Sequence, residues 1–289
     1  MRVLRKGQRG RAGGRRLAAH DAAMPELPEV ETVRAGLAEL LGGARIRRAR
    51  AHRPDLRTPI PDLAVLAGRR ITGVARRAKY LLIATDGPTV LNHLGMTGVW
   101  RLADAARTHD HVELELADGR RVVFNDPRRF GMFELCRPDG GHAALDGLGP
   151  EPLGPGFTGE VLRTAARRHR RAALKAMIMD QRVVVGVGNI YASEACFRAG
   201  LRPGRAAGRV PGPGLDRLAQ EIRTILAEAI AKGGSTIGDY RQVNGLSGLF
   251  QNTFVVYGRA GEPCRTCAGL IRQKTIAGRN SFWCQRCQA

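Results

Sequence analysis

The sequence predicts an α+β fold: an N-terminal β-sandwich with a flanking helix, then a helical domain, then a C-terminal four-cysteine zinc finger. Three observations carry this. Val112, Leu114 and Leu116 alternate with polar residues, Ala117-Asp118-Gly119-Arg120 supplies turn chemistry, and Arg121 to Phe124 begins a returning strand. Beyond residue 160 the apolar spacing changes to that of helices. Two CxxC pairs stand near the C-terminus. With 289 residues, 43% of them hydrophobic, the chain can build two domains and a small appendage.

The flanking helix follows Met24-Pro25-Glu26-Leu27-Pro28-Glu29. Val30, Val33, Leu37, Leu40 and Leu41 share one face, Pro28 suits a first turn, and Glu29 and Glu31 suit the positive end of the dipole. Pro25 and Glu26 lie just outside the helix. If synthesis starts at Met24 and that residue is trimmed, Pro25 becomes a free secondary amine, a nucleophile that the positive helix end helps keep neutral. Glu26 beside it can then move protons. Inside a peptide bond the same nitrogen is unreactive, so residues 1–23 decide whether Pro25 can act.

Strands are expected at 44–49, 71–74, 79–84 and 131–136 in addition to the hairpin, giving a sandwich over residues 25–147. The segment Gly147 to Gly159 is rich in glycine and proline and reads as a linker and hinge, residues 148–159. Helices are expected at 161–179, 190–199 and 215–232, within a domain spanning 160–255. The last carries an apolar stripe that includes Leu215, Leu218, Ile222 and Ile225. In the finger, 256–289, Cys264 and Cys267 are separated by sixteen residues from Cys284 and Cys287. Four thiolates at this spacing suit one tetrahedral zinc and leave no open position, so the ion is structural.

Lys and Arg total 47 against 26 acids, a net charge of +21 that makes nucleic acid the natural partner. No run of eighteen apolar residues exists, which excludes a membrane-spanning helix on sequence grounds. Cys136 and Cys196 stand alone, so the six cysteines read as metal binding in a reducing compartment rather than a disulfide framework. Residues 1–23 form an Arg-rich leader, read as the product of a misassigned start or as a basic tail absent from the mature enzyme.

From Pro25-Glu26-Leu27-Pro28-Glu29-Val30-Glu31-Thr32 to Gln288 the sequence resembles the Fpg (MutM) family, the formamidopyrimidine-DNA glycosylases. Val185-Gly186-Val187-Gly188-Asn189-Ile190, followed by a turn at Gly200-Leu201-Arg202-Pro203, looks like the family's helix-two-turns-helix motif. A glycine-rich helix start of this kind offers backbone N–H groups to a phosphate. The resemblance implies Pro25, Glu26, Lys79 and Arg279 as catalytic residues. It implies Met96 and Phe130 as fillers of the gap left by a flipped base, and Arg128 as the partner of the orphaned cytosine. His109, Arg170 and Asn189 are implied DNA contacts. His109-Asp110-His111 alternates as on a strand, too sparse a set for a metal. The loop from Ser235 to Phe250 is expected to close over the flipped base.

The expected function is a bifunctional DNA glycosylase and AP lyase that excises 8-oxoguanine opposite cytosine and formamidopyrimidines. It acts through a proline Schiff base and β,δ-elimination. The expected partner is double-stranded DNA containing oxidised bases or abasic sites, bound by a monomer in the bacterial cytosol. The alternatives are a Nei-type enzyme for oxidised pyrimidines, a non-catalytic binder of damaged DNA if residues 1–23 are retained, and a zinc-ribbon RNA-binding protein. Leu27, Val30-Glu31-Thr32 and the pairing of Arg128 with Phe130 in one loop favour Fpg over Nei. The sheet domain with Glu26 and Lys79 argues against an RNA binder.

Overall fold

The computed structural model describes residues 24–235, 243 and 248–289. The leader and most of the Ser235–Phe250 loop lie outside the described residues. Helix α1, Leu27–Leu41, is held at its start by the Pro28 ring and buries Val30, Val33, Leu37 and Leu41. It lies against the sandwich, whose strands are β1 (Ile46–Ala51), β2 (Ile71–Arg77), β3 (Tyr80–Thr85), β4 (Val90–His93), β5 (Val99–Leu102), β6 (Asp110–Leu116), β7 (Arg121–Asn125) and β8 (Met132–Leu135).

Two antiparallel four-stranded sheets result, ordered β1-β6-β7-β5 and β2-β3-β4-β8. The hairpin β6–β7 pairs Leu114 with Val122 as its alternation requires. Between the sheets Trp100 meets Phe124 and Phe133 at ring separations of 5.4 and 6.1 Å. Fully burying a side chain such as Phe133 contributes about 1.5–3 kcal/mol. The Trp100 indole N–H donates to Asn92 Oδ1 at 2.9 Å, and Asn92 in turn donates to the Met132 carbonyl. That buried asparagine interrupts the apolar run of β4, and β5 is as short. Neither strand stands out in the sequence.

Gly149 and Glu151 tie the linker to the sandwich. The Glu151 carboxylate accepts from Arg76 at 2.8 Å, Arg77 at 3.0 Å and the Ala78 N–H at 2.7 Å, and Arg77 also donates to the Gly149 carbonyl. The segment expected to be a hinge is therefore clasped to the β2–β3 turn.

The helical domain comprises α2 (Gly159–Arg168), α3 (Leu174–Met179), α4 (Asn189–Arg198) and α5 (Gly212–Ala231). The single helix expected over 161–179 is two. The Leu174 and Lys175 N–H groups donate to the Arg205 and Pro203 carbonyls rather than to the preceding turn, and Ala173 pairs with Ala206. Competition from this distant strand-like segment breaks the helix, and no local signal announces it. The finger hairpin, β9 (Ile271–Ile276) and β10 (Arg279–Cys284), buries Ile271 and Phe282 in the same apolar cluster as Tyr191 and Leu218.

Candidate active site and nucleic-acid interface

Glu26 caps α1 with extended backbone, φ −98° and ψ −172°, which turns its side chain toward the helical domain. There its carboxylate accepts the N–H groups of Gly188 at 2.7 Å, Ile190 at 2.8 Å and Tyr191 at 3.4 Å, at the positive end of α4. Beside it the Leu27 N–H donates to the Gly186 carbonyl. The two glycines are required by this approach. A Cβ on Gly188 would stand 2.4 Å from Glu26 Cδ, and one on Gly186, whose φ is +80°, would stand 2.6 Å from Leu27 Cβ. The N–H groups expected to face a phosphate are thus occupied by Glu26, because a buried carboxylate from the other domain reaches them first.

Glu26 and Pro25 are both buried. Burial raises the Glu26 carboxyl above its ordinary value, opposed by the Lys79 ammonium and the three N–H donors. Glu29, one turn along, reads in the sequence only as a partner of the helix dipole. It lies buried beneath Glu26, accepting the Glu26 N–H at 2.9 Å, the Ser235 N–H at 2.7 Å and the Tyr191 hydroxyl at 2.6 Å. Burial, and then the Glu26 charge, push its carboxyl up to about 7. The Glu26-x-x-Glu29 spacing of a capping box was the available signal.

Lys79 occupies the β2–β3 turn, after Ala78 at a φ of +54°. Its ammonium is lowered by desolvation, with Glu26 and Glu29 opposing and Arg279 adding to the effect. Groups from α1, the β2–β3 turn and the finger therefore act on one another across the domain boundary. Sequence reasoning missed Lys175, whose position inside the apolar Leu174–Met179 segment was the signal. Its Nζ donates to Asn189 Oδ1, to the Asn280 carbonyl at 3.0 Å and to Ser281 Oγ at 2.8 Å, and desolvation lowers it to about 8. Asn189, the first residue of α4, is held between Lys175 and the Tyr257 hydroxyl. Arg279 is exposed where β10 begins.

Met96 and Phe130 sit on loops that are laced together. Thr97 donates to Asp126, the Arg128 N–H donates to Thr97 Oγ1 at 3.2 Å, and the Gly131 N–H donates to Asp126 Oδ2 at 2.7 Å. A Cβ on Gly95 would meet the Phe130 carbonyl carbon at 2.4 Å, so only glycine lets the two loops touch. Phe130 is 45% exposed, and the Arg128 guanidinium lies 4.8 Å from its ring centre. His109 lies in an exposed turn at a φ of +73°, not on a strand as its alternation implied, since only Asp110 and His111 enter β6. Arg170 is exposed in the α2–α3 turn and lines a cleft with Arg163 and Arg167, apart from Lys175 and Arg279.

The Sγ atoms of Cys264, Cys267, Cys284 and Cys287 lie within 4.8 Å of one another. The Cys264–Cys287 and Cys267–Cys284 separations, 3.9 and 3.4 Å, suit four sulfurs at about 2.3 Å around a tetrahedral ion.

Three family models match in order: the formamidopyrimidine-DNA glycosylase N-terminal domain over residues 24–133, its H2TH domain over 148–241, and the zinc finger found in FPG and IleRS over 261–289. The formamidopyrimidine-DNA glycosylase of Bdellovibrio bacteriovorus is 47% identical, covering 92% of this chain and all of its own. The chain belongs to this family. Among solved structures, the MutM (Fpg) protein of Thermus thermophilus matches with a TM-score of 0.83 and 42% identity, over 91% of this chain and 98% of its own. A MutM in complex with DNA containing carbocyclic 8-oxo-G matches with a TM-score of 0.83 and 34% identity, over 91% and 99%. In this member of the formamidopyrimidine-DNA glycosylase family, then, the glycines before α4 serve to seat Glu26. No helix among the described residues is long and apolar enough to cross a membrane.

Proposed function

We propose that the protein is a DNA glycosylase and AP lyase that removes oxidised purines, 8-oxoguanine opposite cytosine and formamidopyrimidines, from double-stranded DNA. The observation that carries the reading is the Glu26 carboxylate, buried next to Pro25, seated on α4 and paired electrostatically with Lys79. Membership of the family and the related MutM bound to 8-oxo-G DNA support the same substrate class.

The chemistry requires Pro25 as the N-terminal residue. Its nitrogen bonds to C1′ of the flipped nucleotide as the bond from C1′ to the base breaks. Glu26 delivers a proton to the sugar ring oxygen, the ring opens, and loss of the amine proton leaves an iminium. This electron sink acidifies C2′–H. Proton loss there expels the 3′ phosphate, and a second elimination expels the 5′ phosphate. Lys79 balances negative charge near Glu26, and Arg279 and Asn189 hold the phosphates beside the lesion. Arg170 and His109 hold the flanking backbone. Met96 and Phe130 fill the vacated stack while Arg128 bonds the orphaned cytosine. A single structural zinc on the four cysteines holds the Arg279 hairpin in place and takes no part in the chemistry.

The test is cutting of an 8-oxoguanine duplex by a chain beginning at Pro25, compared with its Pro25→Gly variant. The variant is expected to bind the duplex and cut it slowly. Wild-type rates in the variant would remove Pro25 from the mechanism.

A further inference from the structure

The helical domain and the finger enclose a second concavity, outside the site described above. It is a cleft of about 870 Å³ between the Arg202–Arg209 segment and the β9–β10 hairpin. Arg202, Arg205 and Arg209 line one wall, and Lys274 and Trp283 the other. Among the described residues no Asp or Glu lines it. Ala289 also borders the cleft, and a main-chain oxygen of this last residue, on the 289-residue chain a carboxylate oxygen, accepts the Arg202 N–H at 3.1 Å.

Several half-buried arginines pair with carboxylates, Arg76 with Glu31 and Glu151, Arg101 with Asp110 and Arg198 with Glu228, whereas Arg223 donates only to carbonyls. In the cleft Arg205 is half-buried and Arg202, Arg209 and Lys274 are exposed. Among the described residues none of the four cleft cations pairs with a carboxylate side chain. Arg202 Nε donates instead to the Gln288 carbonyl at 3.0 Å, and Arg205 to the Arg209 carbonyl at 2.9 Å. Main-chain oxygens, rather than acidic side chains, orient these guanidinium groups. Four such cations converging on one hollow favour a polyanion, and the indole face beside them adds a platform for a base.

The cleft's volume falls within the range of small-ligand pockets, roughly 300–1,000 Å³, room for a nucleotide or two of a single strand. Ile276 lines both this cleft and the smaller hollow that contains Lys175 and Arg279. A strand leaving Arg279 therefore needs only to pass Ile276 to enter the cleft.

We propose that this cleft binds single-stranded DNA, stacking a base on Trp283 and holding its phosphates with Arg202, Arg205, Arg209 and Lys274. The site goes beyond the lesion chemistry and serves a frayed or freshly cut strand.

Tryptophan fluorescence reads it directly. Of the two tryptophans, Trp100 is 1% exposed and bonded to Asn92, so quenching by an unlabelled thymidine oligonucleotide reports Trp283. Saturable quenching is expected, weakened in the double variant Arg205→Ala/Arg209→Ala. The salt dependence of that variant should be shallower by roughly 0.7 in log–log slope for each phosphate that it no longer neutralises. Trp283→Ala and Trp283→Phe lack the reporter and are titrated by the anisotropy of a fluorescently labelled oligonucleotide. The first, checked for zinc content, should bind at least about fivefold more weakly, and the second close to wild type. The double variant should cut a lesion duplex at the wild-type rate. Absence of quenching, or wild-type affinity and salt slope in the double variant, would overturn the proposal. So would an equal loss of affinity for an undamaged duplex, which would make the cleft part of a duplex track. Failure of the wild-type chain to cut a lesion duplex, with single-strand binding intact, would count against the lesion chemistry alone.

Discussion

Glu26 Oε2 accepts the Gly188 N–H at 2.7 Å although 162 residues separate the two. The contact joins the sandwich to the helical domain at the proposed reaction centre, and it is close enough that position 188 has no room for a side chain. In Gly188→Ala the new methyl must displace the carboxylate, since its Cβ would lie 2.4 Å from Glu26 Cδ. Overpacking of this kind costs about 1–3 kcal/mol. Denaturant unfolding should show that loss, and lesion cutting should fall further than DNA affinity. A variant with wild-type stability and cutting would mean that the carboxylate does not depend on this seat.

Much of the fold and the site is legible in the sequence, for reasons tied to particular residues. Val30, Val33 and Leu37 announce α1 by spacing, Asp118-Gly119 marks the β6–β7 turn, and the four cysteines announce their own cluster. What stays hidden depends on partners far away in sequence. The Gly186 and Gly188 backbone looks like a phosphate cradle until Glu26 is found in it. The break between α2 and α3 comes from hydrogen bonds to residues 203–206. Lys175 looks like one basic residue among many until Asn189, Asn280 and Ser281 surround its ammonium.

Glu29 makes stability depend on pH. Its carboxyl sits at about 7 in the folded chain against an ordinary 4.5. The folded state therefore holds a proton between those values that the unfolded state has released. The associated stability is complete below about pH 4.5 and is lost as pH rises through about 7, an effect of roughly 3 kcal/mol. In Glu29→Gln this fall should flatten. Unfolding free energies measured from pH 5 to 8 would contradict the assignment if wild type and variant ran parallel.

Phe130 should separate function from stability. Because it is 45% exposed, Phe130→Ala should change folding stability by no more than about 0.5 kcal/mol. If the ring wedges into the vacated stack, the same change should cost about 1–3 kcal/mol in binding or cutting a lesion duplex. Unimpaired cutting by the variant would move the wedge elsewhere.

The proposed role of Arg279 ties DNA affinity to the metal. Ile271 and Phe282 belong to the apolar cluster of the helical domain, so releasing the hairpin exposes part of that core as well as freeing Arg279. Cys264→Ser should lower zinc content, thermal stability and duplex affinity together. Metal analysis showing wild-type zinc in the variant would rule out the four-thiolate site.

The central claim is that the nitrogen of Pro25 does the chemistry. Borohydride reduction during reaction with an 8-oxoguanine duplex tests it most directly, using two preparations: a chain that begins at Pro25, confirmed by mass and N-terminal sequencing, and the full chain from Met1. The account predicts a covalent protein–DNA adduct for the first, located at Pro25, and none for the second. Equal trapping of both, or an adduct on another residue, would contradict it.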